Sequence, residues 1–203
     1  MTSLRTVLAM NSRPDALNAL RDATHDLLAH HEQHLFLNRP EAGRAEYLQW
    51  ASAMYGWLAP FEDTLWSAPW PDSVEPTSRN HRRAWLEADL KALGETDLTI
   101  AKLPRAEFHA PLQTQAKRFG VAFVLEASTP RAQTLLKKLG SKLGVGGGSY
   151  LRGYAEQTDS HWGVFSRALT ESLHNPLELE HAISAARQTF SALDDWLALR
   201  GAG

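Results

Sequence analysis

The sequence contains no cysteine. Disulfide bridges, thiolate metal sites and thiol nucleophiles are therefore excluded. No apolar run approaches the roughly 20 residues that a membrane-spanning helix needs, so no membrane passage is expected. Neither sign of charge dominates: 21 Lys and Arg stand against 23 Asp and Glu, a formal net charge of −2. With no long basic run, a nucleic-acid or anionic-membrane partner lacks electrostatic support. The first ten residues carry one arginine and a short apolar stretch, without a full hydrophobic segment followed by small residues. No signal peptide is read, and the cytoplasm is the expected location. Gly146-Gly147-Gly148 has no following Gly-Lys-Ser/Thr, so it is not a phosphate loop. Ser, His and Asp are present, but no nucleophile-elbow motif is.

What is present is a helical period. The 203 residues, 43% hydrophobic and 22% charged, suit one domain over 1–203 with a continuous core. Strand alternation is nearly absent. A first helix is expected to begin between Ser12 and Asp15, where Ser12 caps and Pro14 fits the first turn, and to end near Phe36. Arg44 to Trp66 forms a second helix that Pro60 should kink. A Pro/Ser-rich loop covers Ser67 to Ser78, and a helix from Arg79 stops at Gly94. From Glu107 to Ser128 the helical pattern is punctuated by Pro111 and Gly120, and Pro130 is expected to open a further helix. The three glycines at 146–148 make a flexible turn. Two helices close the chain, the last announced by Asn175-Pro176-Leu177-Glu178, a cap, a first-turn proline and a capping-box acid. The expectation is an all-α bundle of seven to eight helices.

Several side-chain groups have the spacing of chemistry. His25, His30, His31 and His34 lie on one helix, with His30 and His31 each about a turn from His34, a spacing that can hold a metal. A wet polar helix face accounts for the same pattern. Glu178 precedes His181 by three residues, one unit of a di-metal carboxylate bundle, but no second unit follows. The seven tryptophans fall mostly on helix stripes and read as core, while Trp70 covers a loop.

Taken in order, five segments resemble the bacterial haem oxygenase family. The first is Leu20-Arg21-Asp22-Ala23-Thr24, similar to the family's L-[KR]-x-A-T. The second is Arg44-Ala45-Glu46-Tyr47 with Tyr55 and Leu58-Ala59-Pro60-Phe61-Glu62. Arg83, Leu86, Asp89-Leu90 and Leu93-Gly94 form the third. The fourth and most specific is Gly120 followed by Val124-Leu125-Glu126-Ala127-Ser128-Thr129, similar to G-x-x-Y-V-L-E-G-S-T-L-G-G-Q. Gly153-Tyr154, Thr158, Trp162 and Phe165 complete the set. Each alone is weak; their order and spacing, from about residue 16 to 195, carry the resemblance.

The resemblance implies a haem oxygenase-like fold that clamps haem, both cofactor and substrate, between a proximal and a distal helix. It implies cleavage to biliverdin, carbon monoxide and ferrous iron, with electrons from an external donor. The family's axial histidine falls at Leu28 here. His25 and His31, three residues to either side on about the same face, are the substitute candidates for the iron ligand. The family's distal glycine pair falls at Arg131 and Ala132, after Pro130, and Ala127 replaces another glycine. Arg21 matches a position that meets a haem propionate in some relatives, and Thr24 and Ser128 complete the expected slot. With both faces altered, the alternative is an inactive protein of this fold that binds another tetrapyrrole, a planar ligand or a protein partner.

Overall fold

In the computed structural model, which describes residues 15–203, the first helix, α1 (Ala16–His34), starts where Asp15 accepts the backbone N–H of Asn18 at 3.1 Å. Asp15 is thus the cap; Ser12 and Pro14 lie outside the described residues. The helices that follow are α2 (Arg44–Leu58), α3 (Glu62–Ser67), α4 (Arg82–Ala92), α5 (Asp97–Ala101) and α6 (Gln115–Leu143). Last come α7 (Ser149–Arg152), α8 (Thr158–Ser172) and α9 (Pro176–Leu199). Among the described residues there is no strand. The protein is the all-α bundle that the helical period implies, with two of its helices only four and five residues long.

Prolines and glycines account for most departures from the expected boundaries. Pro60 ends the helix rather than bending it: α2 stops at Leu58 and α3 resumes at Glu62. Pro60 has no N–H for the Gly56 carbonyl, and the Ala106 N–H takes that carbonyl at 3.0 Å instead. Gly56 permits the approach, since a β-carbon there would lie 2.2 Å from the Pro104 carbonyl oxygen. Pro130 does not open a helix; it sits inside the 29-residue α6. Nor does Gly120 interrupt α6, where its bare backbone lets α9 pack closely, a β-carbon being 2.1 Å from the Ala182 carbonyl oxygen. Residues 107–114 are not helical, so α6 starts only at a Thr114 cap. The helix expected from Arg79 begins three residues later, at Arg82. The triple glycine is a turn, with left-handed φ at Gly144, Gly146 and Gly148.

α9 is the central support. It packs along α6 on one side and along α1 on the other, while α1 and α6 hardly approach each other. Its Asn175 cap and Pro176 are as expected, with the Glu178 N–H donating to Asn175 at 2.9 Å.

Three buried carboxylates fix the remaining elements. Glu62 accepts the backbone N–H groups of Arg82 and Arg83 at 2.9 and 2.8 Å and so caps α4. Asp89 accepts those of Ser149 and Tyr150, at 2.5 and 2.9 Å, and the Tyr47 hydroxyl at 2.6 Å. Glu126 lies between Arg79 and Arg82, at 3.0 and 3.3 Å, and accepts the Tyr154 hydroxyl at 3.0 Å. Arg82 also donates to the Leu125 carbonyl and to Thr129 Oγ1, each at 3.1 Å. The middle of α6 is therefore held from behind by a buried ionic network.

Candidate functional site: a slot between two helices

Because α9 separates α1 from α6, a cavity of about 940 Å³ opens between them. One wall is a single stripe of α1: Arg21, Thr24 and His25, Leu28, His31 and Glu32 line it, at steps of three or four residues that share a helix face. The facing wall is α6, from Phe123 to Leu135. Trp50 and Met54 of α2, Phe190 and Leu193 of α9, Tyr150 and Trp162 also line it. Most of the lining is hydrocarbon or aromatic ring, with a few polar groups, the composition of a small-molecule site.

All eight residues singled out in the sequence line this cavity: Arg21, Thr24, His25, Leu28, His31, Ser128, Arg131 and Ala132. Their environments differ. Thr24 is buried, and its hydroxyl donates to the Leu20 carbonyl at 2.8 Å. Ser128 donates likewise to the Leu125 carbonyl at 2.7 Å. Both hydroxyls are thus engaged within their own helices. The Arg21 guanidinium lies 5.7 Å from the Trp162 ring centre, a cation–π contact at the edge of the slot. Arg131 does not fill the slot freely. Its Nε donates to Glu32 Oε1 at 2.5 Å, so an ion pair links the α6 wall to the α1 wall.

The two candidate histidines are not equivalent. His25 is exposed. His31 is half-buried, and its Nδ1 lies 2.6 Å from Asp194 Oδ1 of α9. With Nδ1 carrying the proton toward the carboxylate, the remaining nitrogen, Nε2, holds an unshared pair. His30 is 3.6 Å from the other oxygen of Asp194 and largely exposed. The metal grouping of His30, His31 and His34 does not form: His34 Nδ1 pairs with the His30 carbonyl at 2.8 Å. Among the described residues no three His, Asp or Glu converge on a metal-sized site.

A family model described as Heme oxygenase matches residues 14–198, nearly the whole chain. The chain belongs to the haem oxygenase family. Comparison with curated proteins finds no match.

In a haem oxygenase family member, the group to be tested against the slot is haem. A cavity of about 940 Å³ stands at the upper end of the range for cofactor sites, roughly 300–1,000 Å³. The lining offers apolar faces, a half-buried imidazole with one nitrogen already committed to a carboxylate, and two guanidiniums at the cavity lining, Arg21 and Arg131. Trp50, which also lines the cavity, keeps its indole N–H buried without a partner. This donor set fits an iron porphyrin with acidic side chains. Leu28 supplies no donor.

Other residues of the site escape sequence reading. Trp50 and Trp162 look like core on their helix stripes, yet each contributes a face to the slot. Tyr150 and Leu151 follow a glycine turn with no motif of their own. Burial pushes the Tyr150 phenol above its ordinary value, against the opposing Arg82 charge, so it stays neutral. Asp194 has no local signal; it is 163 positions from its partner His31. Among the described residues no helix is long and apolar enough to cross a membrane.

Proposed function

We propose that this haem oxygenase family member binds haem in the α1–α6 slot, with His31 as the axial ligand, and cleaves it oxidatively. The observation that carries the reading is the 2.6 Å contact between His31 Nδ1 and Asp194, which commits one ring nitrogen and leaves the other for a metal. When bound, haem would be both redox cofactor and substrate, yielding biliverdin, carbon monoxide and ferrous iron with O₂ as the oxidant and electrons from an external donor. The chain's own part is positional. His31 replaces a ligand that Leu28 cannot supply. Apolar side chains from α2, α6 and α9 exclude water from the porphyrin faces. Arg21 and Arg131 offer charge-assisted hydrogen bonds to carboxylates at the edge of the slot. Ala132, on the α6 wall, adds only a methyl group.

Hemin titrated into the wild type, His25→Ala and His31→Ala tests the assignment by absorbance. The expected result is a saturable Soret band in the first two, and loss of the histidine-ligated spectrum in His31→Ala, restored by added imidazole. A flat difference spectrum with the wild type overturns haem binding. A reductant in the presence of O₂ should then convert bound hemin to biliverdin with release of carbon monoxide.

One observation favours a second reading, a binder that does not cleave. The Arg131–Glu32 pair crosses from wall to wall, and its Arg131 end stands on the α6 wall that faces His31. Hemin bound through His31 but stable to reductant and oxygen would establish this alternative, for a tetrapyrrole or another planar acid.

A further inference from the structure

We infer that Asp194 is a positioning residue that sets the tautomer, orientation and donor strength of His31 from outside the slot; the inference rests on the haem reading above. His31 and Asp194 belong to different helices, α1 and α9, and their side chains have the same low exposure, 18%. At 2.6 Å the contact is at the short end for a charge-assisted N–H···O⁻ bond, where about 2.7–2.9 Å is usual. A neutral imidazole has one donor nitrogen and one acceptor nitrogen. A carboxylate at Nδ1 selects the tautomer with the proton on Nδ1, so Nε2 is the metal-binding nitrogen. His25 has no such partner among the described residues and sits exposed, so nothing selects its tautomer or orients its ring.

The support is rigid as well as polar. The residues just before Asp194 on α9, Phe190 and Leu193, line the slot, and both are buried. About two turns before Asp194, Arg187 pairs with Asp26 at 3.0 Å and reaches the Ala23 carbonyl of α1. Two side chains of α9 about two turns apart, Arg187 and Asp194, thus hold the α1 wall in register. An anionic acceptor on Nδ1 also lends the ring imidazolate character, which raises its basicity toward a metal and favours the ferric over the ferrous state. Asp194 therefore tunes the iron without touching it.

The test compares hemin affinity and the ferric/ferrous midpoint potential in the wild type, Asp194→Asn, Asp194→Ala and His31→Ala, with His30→Ala as a control for the neighbouring imidazole. Asn keeps an acceptor but removes the charge, so Asp194→Asn should bind hemin with a midpoint potential shifted in the positive direction. Asp194→Ala also frees the ring, and hemin affinity should fall about 10- to 100-fold, the usual cost of losing such a partner. His30→Ala should leave the potential where it is. A His31-dependent spectrum with an unmoved potential in Asp194→Asn overturns this inference alone. A wild-type haem spectrum in His31→Ala overturns the ligand assignment, and this inference with it.

Discussion

At the scale of single residues, histidine chemistry depends on what each ring touches. His161 stacks on Tyr154 with ring centres 4.1 Å apart and planes 5° apart. Burial, with the nearby Arg79 charge second, holds its imidazole below the ordinary 6.5, so the folded protein prefers the ring neutral. Between the lowered folded value and 6.5 the unfolded chain binds more protons, and stability falls as pH falls through that window. The stabilisation is fully present above pH 6.5. We expect melting temperatures taken from roughly pH 8 down to 5 to drop less steeply for His161→Gln than for the wild type. Identical slopes would show that the ring titrates freely. The slot shows how far such residue-level properties can be read from sequence. Positions 21, 24, 25, 28 and 31 follow helical steps, so their common face was legible. Asp194 was not, because its pairing with His31 is a product of helix packing across 163 positions.

At the scale of elements, local signals work where the chain decides alone and fail where a neighbour decides. The Asn175-Pro176 start of α9 is a local signal, and it holds. Pro130 and Gly120 are breakers by propensity, yet α6 runs through both. Gly120 is the contact point with α9, and packing along that line outweighs the intrinsic cost of about 1 kcal/mol for a mid-helix glycine. Gly120→Ala should therefore destabilise although alanine is the better helix former. Its β-carbon would lie 2.1 Å from the Ala182 carbonyl oxygen, and overpacking of this kind costs about 1–3 kcal/mol, readable as a lower urea midpoint. An unchanged midpoint would mean that α6 and α9 separate without penalty. The start of α4 is non-local in the same way. Its cap, Glu62, comes from α3, 20 positions earlier, and no sequence window around Arg82 contains it. Glu62→Ala strands the Arg82 N–H in the interior and leaves the Arg83 N–H unpaired. The cost should be about 1–3 kcal/mol for each orphaned buried group, measured by thermal melting at neutral pH.

At the scale of the whole molecule, the bundle is built as two walls on a common spine. The Glu126 network fixes α6 from behind, and Arg187 and Asp194 fix α1 to α9. Between the walls lies the apolar slot, crossed by the Arg131–Glu32 pair, whose side chains are 49% and 48% exposed. A pair so exposed contributes only about 0–1 kcal/mol, so the walls owe their separation to α9 rather than to the ion pair. Arg131→Ala should accordingly shift the unliganded melting temperature little. A planar ligand that fills the slot acts differently, since it binds the folded state and not the unfolded chain. At free hemin near 100 times its dissociation constant the gain is about 2.7 kcal/mol. For a chain of this length each kcal/mol moves the melting temperature by roughly 2–4 °C, so a rise of about 5–11 °C is expected. The rise should have a location. Hydrogen exchange should slow in α1 and in the middle of α6, the two walls, and change least in α4 and α5, which contribute nothing to the slot lining. Protection confined to other helices would place the ligand elsewhere on the molecule, because only a ligand held between α1 and α6 can brace both at once.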